Sequence, residues 1–477
     1  MNIIQKPKYR LVPAYSEIVF AVEDTVIIST KANVKYIAEV SISNQTITAS
    51  DLIGTFKVTP NNAGVGIFDF SKVVESYVSS DNLGGIVGSL NPSNASSFKG
   101  TLFTDETPHS IHTIDKFATN KNSVRFLEIT FKIQYSDSVG STVSVDQTIS
   151  ATSDVFYIYN GTLQEEDIIA LDSSGNYGYN LDANNYIMND TDAKFLTNCP
   201  TTIDIGANDY HTLAFFSDYD LDFKVGGATA DSQIENILVR WYNAENGTGT
   251  QLGIVSYTNT PANGGKRSFV DEANNKLIFF GCGMANFRNQ SLSSSVLAAK
   301  SYTVAARDSA FNQVSQLYTF NVIDDDCKGF EKIRLTWLNR LGAWDYYSFT
   351  KRNVRTVETQ RTSYKQISGT WNERKYKVHG FKGGQKTFRT RSKERLVLNS
   401  DFVTESECTW LEELFTSPEV YILNEFSTDG SEGYINKYVQ PVTVTSSTYT
   451  KQTRANDNLL QYTIEIERSK NRVIQNA

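Results

Sequence analysis

Histidine is the residue type most often used in metal and acid-base sites, and this chain has only four. They are His109, His112, His211 and His379, and no HExxH pattern places two of them on one helix face. His109 and His112 lie three residues apart in a loop-like stretch, which does not favour a zinc site. The sequence therefore predicts no metal centre built on histidine.

One acidic stretch resembles the start of a calcium loop. Asp218–Asp222 alternates Asp with other residues, but Phe223 stands where the loop needs Gly and Thr229 stands where it needs a bidentate Glu. Asp324–Asp326 is a second acidic run without the remaining ligands. Both are expected to be exposed acidic loops.

Nucleophilic and phosphate-binding motifs are also missing from the sequence. No GxSxG is present, and the cysteines are Cys199, Cys282, Cys327 and Cys408, with no CxxC pair. Gly264–Lys266 and Gly383–Lys386 lack the frame of a phosphate loop and are interpreted as hairpin turns. We therefore expect buried thiols, no cofactor, no catalytic residues and no enzymatic activity.

Charge is distributed very unevenly along the chain. The basic segment, Lys351–Arg395, contains 14 Lys or Arg and three acids, so it carries +11 and the rest of the chain carries −19 within a total of −8. Such a segment suits nucleic acid, an acidic partner or an acidic surface of another copy. Docking on a protein is favoured, and the predicted interface residues are Arg352, Arg355, Lys375, Lys377, Arg389 and Arg391.

Aromatic residues interleave with these charges, as they do in proteins that grip single strands. The segment contains Tyr364, Trp371, Tyr376 and Phe388. In Lys375–Val378, however, charged and apolar residues alternate, which is typical of a strand with one solvated or partner-facing side. Nucleic acid is therefore not the favoured partner.

Composition indicates a globular, mainly β protein. Hydrophobic residues make up 40% of 477, charged residues 21%, and only nine Pro and three Met occur beside 29 Gly. The first residues, Met1–Val12, have cations but no apolar h-region follows, and no apolar run reaches the ~20 residues of a membrane span. We expect synthesis in a cytoplasm and no membrane insertion.

Hydrophobic periodicity predicts several β-sandwich or β-barrel modules, beginning with an N-terminal β module at 1–165. Strands are expected over Glu17–Ser29 and Asn33–Ser43, and Leu127–Tyr135 alternates as a half-buried strand. Asp69 or Ser71 precedes a short helix ending near Val78. An immunoglobulin-like or fibronectin-like sandwich is expected at 195–325, where Ile237, Val239 and Trp241 alternate with more polar positions.

The C-terminal β domain is predicted at 326–477, with one packed α-helix. Ile333, Leu335 and Trp337 open it, and Leu460–Glu467 closes it by the same alternation. Thr404–Glu407 has the pattern of a capping box, and an apolar stripe at helical spacing follows up to Ser417.

Four stretches resemble structural proteins of tailed bacteriophages, especially tail-tip and baseplate components of the distal-tail type. They are Phe56–Val78, Leu335–Arg352, Thr409–Leu423 and Asn456–Ser469. The resemblance implies a viral protein that is made in the host cytoplasm, forms an oligomeric ring, docks other virion proteins and resides in the virion tail. It carries over no catalytic residues.

Two other functions remain open at the level of sequence. The chain could be a receptor- or carbohydrate-binding adhesin that presents Trp241 and Tyr242 to a host-surface glycan. It could also be a glycan depolymerase with paired carboxylates ~5–5.5 Å or ~6.5–9.5 Å apart. The expectation is a structural subunit of a phage tail or baseplate that binds copies of itself.

Overall fold

The structure is a computed structural model in which the described residues are 1–80, 116–119, 122–168, 183–217, 234–260, 273, 276–288, 292–323, 330–423, 439–446, 460–469 and 472–476. The protein is mainly β and forms several separate sheets with a few short helices, as the composition predicts. The chain divides into two compact units. The first holds the described residues up to 323 together with 338–345, and the second holds the other described residues from 330 onward.

The first unit contains four of the sheets. Its strands are β1 (Asn2–Gln5), β2 (Leu11–Pro13), β3 (Val19–Glu23), β4 (Ala32–Ser43), β5 (Leu52–Val58), β6 (Val65–Asp69), β7 (Phe117–Thr119), β8 (Val124–Ser136), β9 (Ser144–Thr152), β10 (Phe156–Tyr159), β11 (Thr202–Gly206), β12 (Thr212–Phe216), β13 (Asn236–Tyr242), β14 (Gln251–Thr258), β15 (Leu277–Gly281), β16 (Ser301–Arg307) and β17 (Tyr318–Ile323). Its α-helices among the described residues are α1 (Thr25–Thr30), α2 (Ser71–Val74), α3 (Met284–Arg288) and α4 (Ser294–Leu297).

The N-terminal sheets enclose one apolar core. Strand order is β1-β3-β6 in one sheet and β2-β10-β8-β4-β5 in the other, where β9 also pairs with β8. Every second residue of β8 from Leu127 to Ile133 is fully buried, and Phe20 of β3 packs edge-on against Phe156 of β10 with centroids 5.4 Å apart. Burying each such side chain contributes about 1.5–3 kcal/mol, so the predicted alternation on β8 holds these sheets together.

The run Glu17–Ser29 is only partly a strand, which corrects the sequence prediction. β3 ends at Glu23 and α1 begins at Thr25. The Ile27 N–H donates to Asp24 Oδ1 at 3.0 Å, so Asp24 caps a helix inside an apolar, β-branched run. Here local capping overrides the strand propensity of the residues that follow.

The remaining two sheets of the first unit share an aromatic core. Their orders are β11-β17-β16-β13-β14 and β12-β15-β7. Phe287 of α3 contacts Trp241 of β13 at 5.4 Å and Tyr302 of β16 at 5.4 Å between centroids, while Phe280 of β15 lies 5.5 Å from Tyr257 of β14. β7 comes from the N-terminal part of the chain and pairs with β15, so strands near residues 117 and 280 belong to one sheet.

The second unit is built on one eight-stranded sheet in the order β19-β18-β22-β23-β24-β21-β20, where β25 also pairs with β21. The strands are β18 (Ile333–Leu338), β19 (Trp344–Phe349), β20 (Val354–Gln366), β21 (Gly384–Asn399), β22 (Val420–Leu423), β23 (Val439–Val444), β24 (Thr463–Arg468) and β25 (Arg472–Asn476).

One helix, α5 (Glu405–Thr416), packs in this unit, as predicted. Its capping box is present: the Thr404 N–H donates to Glu407 Oε2 at 2.7 Å, and the Glu407 N–H donates to the Thr404 hydroxyl at 3.4 Å. Trp410 of α5 lies 5.3 Å from Trp337 of β18 between centroids, and both are buried. None of the helices among the described residues is long and apolar enough to cross a membrane.

Candidate interaction surface

The basic segment folds into a long antiparallel hairpin. β20 pairs with β21 from Val354 opposite Val397 to Gln366 opposite Gly384, with one bulge at Thr362 and Ser363. All residues of β20 except its last are exposed, and β20 is the edge strand of the sheet. Both faces and one edge of the hairpin are therefore open to solvent over most of its length.

The root of the hairpin is held by the body of its sheet. β21 continues beyond the exposed part as Leu396 and Leu398, which are buried at 2% and 0% exposure, and this stretch pairs with β24. β25 pairs with β21 near Arg391 and Ser392. Anchoring one end of a 16-residue strand in the core leaves its other end projecting as an arm.

Carboxylates of the same unit neutralise the cations at this root. Lys393 Nζ lies 2.8 Å from Glu467 Oε1, and Arg395 lies 3.5 Å from Glu467 Oε2 and 3.9 Å from Glu465 Oε1. The hydrogen bond from Lys393 is the main cause that lowers the pKa of Glu467. Arg355 Nε meets the buried Glu394 Oε1 at 2.8 Å, so the predicted interface residue Arg355 is engaged within the chain.

Beyond this root lies the distal arm, which we define as residues 361–391. It has nine cations and one acid, Glu373. Within the described part of the chain none of these cations has a carboxylate within 4 Å. They are Arg361, Lys365, Arg374, Lys375, Lys377, Lys382, Lys386, Arg389 and Arg391.

The hairpin exposes large apolar side chains, most of them on the distal arm. Nine of the 23 exposed large hydrophobic residues of the described chain lie between 354 and 388, and exposure reaches 69% for Trp371, 70% for Val378 and 71% for Phe381. The nine are Val354, Val357, Tyr364, Ile367, Trp371, Tyr376, Val378, Phe381 and Phe388. Concentrated apolar exposure of this kind is typical of surfaces that bind another molecule.

The loop at the end of the arm is ordered by its own hydrogen bonds. Thr370 is buried at 6% exposure, donates its hydroxyl to Lys375 O at 2.8 Å and accepts from the Lys377 N–H at 2.8 Å. Trp371 and Tyr376 meet edge to face at 5.3 Å. Gly369 has φ +77°, and a Cβ there would lie 2.4 Å from the Tyr376 ring, so this turn requires Gly.

The structure corrects one local prediction about this loop. Lys375–Val378 is not a strand with two distinct faces: it lies in the loop, and all four residues are exposed. The hydrogen bonds of Thr370 tie its backbone into a turn, which takes precedence over the alternating pattern. Consequently Tyr376 and Val378 are displayed to solvent beside Lys375 and Lys377.

The other candidate residues are placed differently. Trp241 is 0% exposed and cannot stack on a glycan, which corrects its proposed role as a presented aromatic.

His211 is buried against Phe320, and Cys199, Cys282 and Cys408 are buried thiols, as expected. The described residues contain no group of three metal-ligating side chains. Asp218–Asp222, Asp324–Asp326, His109, His112, Gly264–Lys266 and Cys327 lie outside the described residues.

Comparison with known proteins gives no identification: no family model matches the chain, and no curated protein matches it.

Proposed function

We propose that this chain is a structural subunit of a tailed-bacteriophage virion, in the tail or baseplate, and that it assembles by docking the distal arm on a neighbouring subunit. The observation that carries the assembly role is the arm itself, a hairpin with a run of exposed apolar side chains and nine cations that have no carboxylate partner among the described residues. The likeness of Phe56–Val78 and the other three stretches to tail-tip proteins supplies the virion setting.

Two physical features support assembly over catalysis. An exposed hairpin of this length presents unpaired backbone groups along β20, and natural proteins usually cover or shorten such an edge. Its apolar groups lie beside cations, so a partner surface must bury the former and neutralise the latter. A subunit that meets its neighbours in an ordered assembly provides both.

Charge reversal at the arm tests this function. Virions produced with Lys375→Glu, Lys377→Glu and Arg389→Glu together are expected to lack the subunit, while the purified variant keeps its Tm. The matched control reverses Lys35, Lys57 and Lys300, which are exposed, have no carboxylate within 4 Å among the described residues and lie outside the arm. Normal incorporation of the arm variant, or equal loss with the control, would refute the assignment.

A further inference from the structure

We infer that the surface covered by the distal arm belongs to a second copy of this chain, namely the acidic segments that we define as the described residues 151–168, 183–217 and 234–250. The inference rests on the proposed function and adds the identity of the partner. It also fixes the kind of contact: an arm of one copy meets a different surface on the next.

The root of β21 shows how the cations of this strand are neutralised within the chain. On the root of β21, cations alternate with buried residues and are met by Glu465 and Glu467 of the neighbouring β24, a strand that itself alternates Glu with buried Ile. β24 ends at Arg468, and no described carboxylate meets the cations farther out, such as Arg389 and Arg391. Among the described residues, therefore, the distal arm lacks the acidic partner that its root possesses.

The acidic segments supply the missing charge. They hold ten acids and two cations. Some of these acids are already used, as in the buried pair between Asp167 Oδ2 and Arg340 Nη1 at 2.6 Å. Others, including Glu165, Asp192 and Glu245, are exposed and have no cation within 4 Å among the described residues.

The mixture of side chains on the arm favours a protein partner over a polyanion. Bases stack on aromatic rings, and a nucleic-acid strand would use Trp371 and Tyr376. Ile367 and Val378 have no stacking face, yet they are exposed in the same region, and burial against apolar protein surface is what stabilises such side chains. A second copy offers the acids and, elsewhere in the same unit, exposed apolar side chains such as Ile254, Phe311 and Leu317.

A contact between two different surfaces has a definite consequence for assembly. Each copy carries one arm and one acceptor, so the interface is heterologous and leads to a ring or an open filament. Because the contact depends on unlike charges at the surface, it should weaken as salt rises.

Mixing two complementary variants of the full chain tests the inference. The arm variant carries Lys375→Glu, Lys377→Glu and Arg389→Glu, and the acceptor variant carries Glu165→Lys, Asp192→Lys and Glu245→Lys. Light scattering at low salt should show an oligomer for the wild type and a monomer for each variant alone. The mixture should form a one-to-one complex, because the intact arm of the acceptor variant docks on the intact acidic segments of the arm variant.

A milder acceptor variant guards against misfolding. Glu165→Gln, Asp192→Asn and Glu245→Gln keep the side-chain size and should weaken self-association at least tenfold. Unchanged association of either acceptor variant, or failure of the mixture to form a complex, overturns the inference.

The outcome is separable from that of the proposed function. A wild type that is monomeric at every salt concentration, together with loss of the arm variant from virions, overturns the second copy as the partner and leaves the assembly role standing. Arm-dependent binding to single-stranded DNA or to vesicles containing phosphatidylserine, without self-association, overturns it in favour of a polyanion or a membrane.

Discussion

Removal of the distal part of the arm should separate assembly from folding. Thr362 pairs with Arg389, so residues 363–388 can be replaced by Asn-Gly, which forms the tight two-residue turn that suits a hairpin. The cut falls at the bulge and leaves every pair between β21 and β25 in place. The root, with Leu396 and Leu398, is untouched.

The structure predicts a small cost to stability. The side chains removed are exposed apart from Thr370 and a few half-buried ones, and the ring contacts there join removed residues only, as between Tyr364 and Phe388. Thr370 bonds to Lys375 and Lys377, which leave with it. Surface changes of this kind alter the free energy of unfolding by about 0.5 kcal/mol, which corresponds to a few degrees in Tm.

The predicted effect on association is much larger. Seven large apolar side chains are removed, with exposed fractions from 40% at Tyr364 to 71% at Phe381. Completing the burial of a half-exposed side chain contributes about 1 kcal/mol, hence roughly 5–10 kcal/mol for the set. Association costs consume part of this, but loss of only ~2.7 kcal/mol already raises Kd about 100-fold.

Sedimentation velocity across a dilution series, with Tm measured in parallel, gives both quantities. We expect at least a 100-fold rise in the Kd of self-association and a Tm within a few degrees of the wild type. Unchanged self-association would show that the arm is not the interface. A Tm lower by ten degrees or more would show that the removed residues belong to the folded core.

Three further predictions concern ion pairs and hydrogen bonds elsewhere in the chain. Arg340→Ala leaves the carboxylate of Asp167 buried without its cation and should lower the free energy of unfolding by about 3–5 kcal/mol, measured by urea denaturation. Thr404→Ala removes the capping hydroxyl of α5 and should cost about 1 kcal/mol in the same assay. Several hydrogen bonds lower the pKa of Asp146 to about 2, and the largest cause is the one from the Thr148 hydroxyl. The folded protein is therefore stabilised by the ionised Asp146 above pH ~4, and this stabilisation is lost as pH falls toward 2. The Tm difference between the wild type and Asp146→Asn should shrink over that range.

Much of the fold follows from alternation that is visible in the sequence. β8 and β13 were predictable because their most apolar residues alternate along the chain, and α5 was predictable because Thr404 and Glu407 form a capping box ahead of an apolar stripe. α1 was missed because Asp24 acts as a cap only once the chain leaves β3. Neither the hydrophobic period nor the composition of Glu17–Ser29 indicates that the strand ends at Glu23 and a helix follows.

The candidate surface was only half predictable. The charge of Lys351–Arg395 can be counted from the sequence, but its ion pairs cannot be read there. Arg355 meets a carboxylate 39 positions away, and Lys393 meets one 74 positions away. Arg395 meets the carboxylate of Glu358 on the neighbouring strand. Exposure of Trp371 and Phe381 depends on the hairpin that carries them, whereas Trp241 has the same side chain and is buried. A list of basic and aromatic residues does not distinguish these environments.

Order in the arm favours specific binding in the proposed assembly. A disordered basic tail loses conformational entropy when it docks, whereas this arm is already fixed by the pairing of β20 with β21 and by the hydrogen bonds of Thr370. Glu465 and Glu467 neutralise Lys393 and Arg395 at the root, whereas the cations of the distal arm have no carboxylate partner among the described residues. In the proposed assembly, attraction to an acidic surface would therefore act on the region whose apolar side chains become buried.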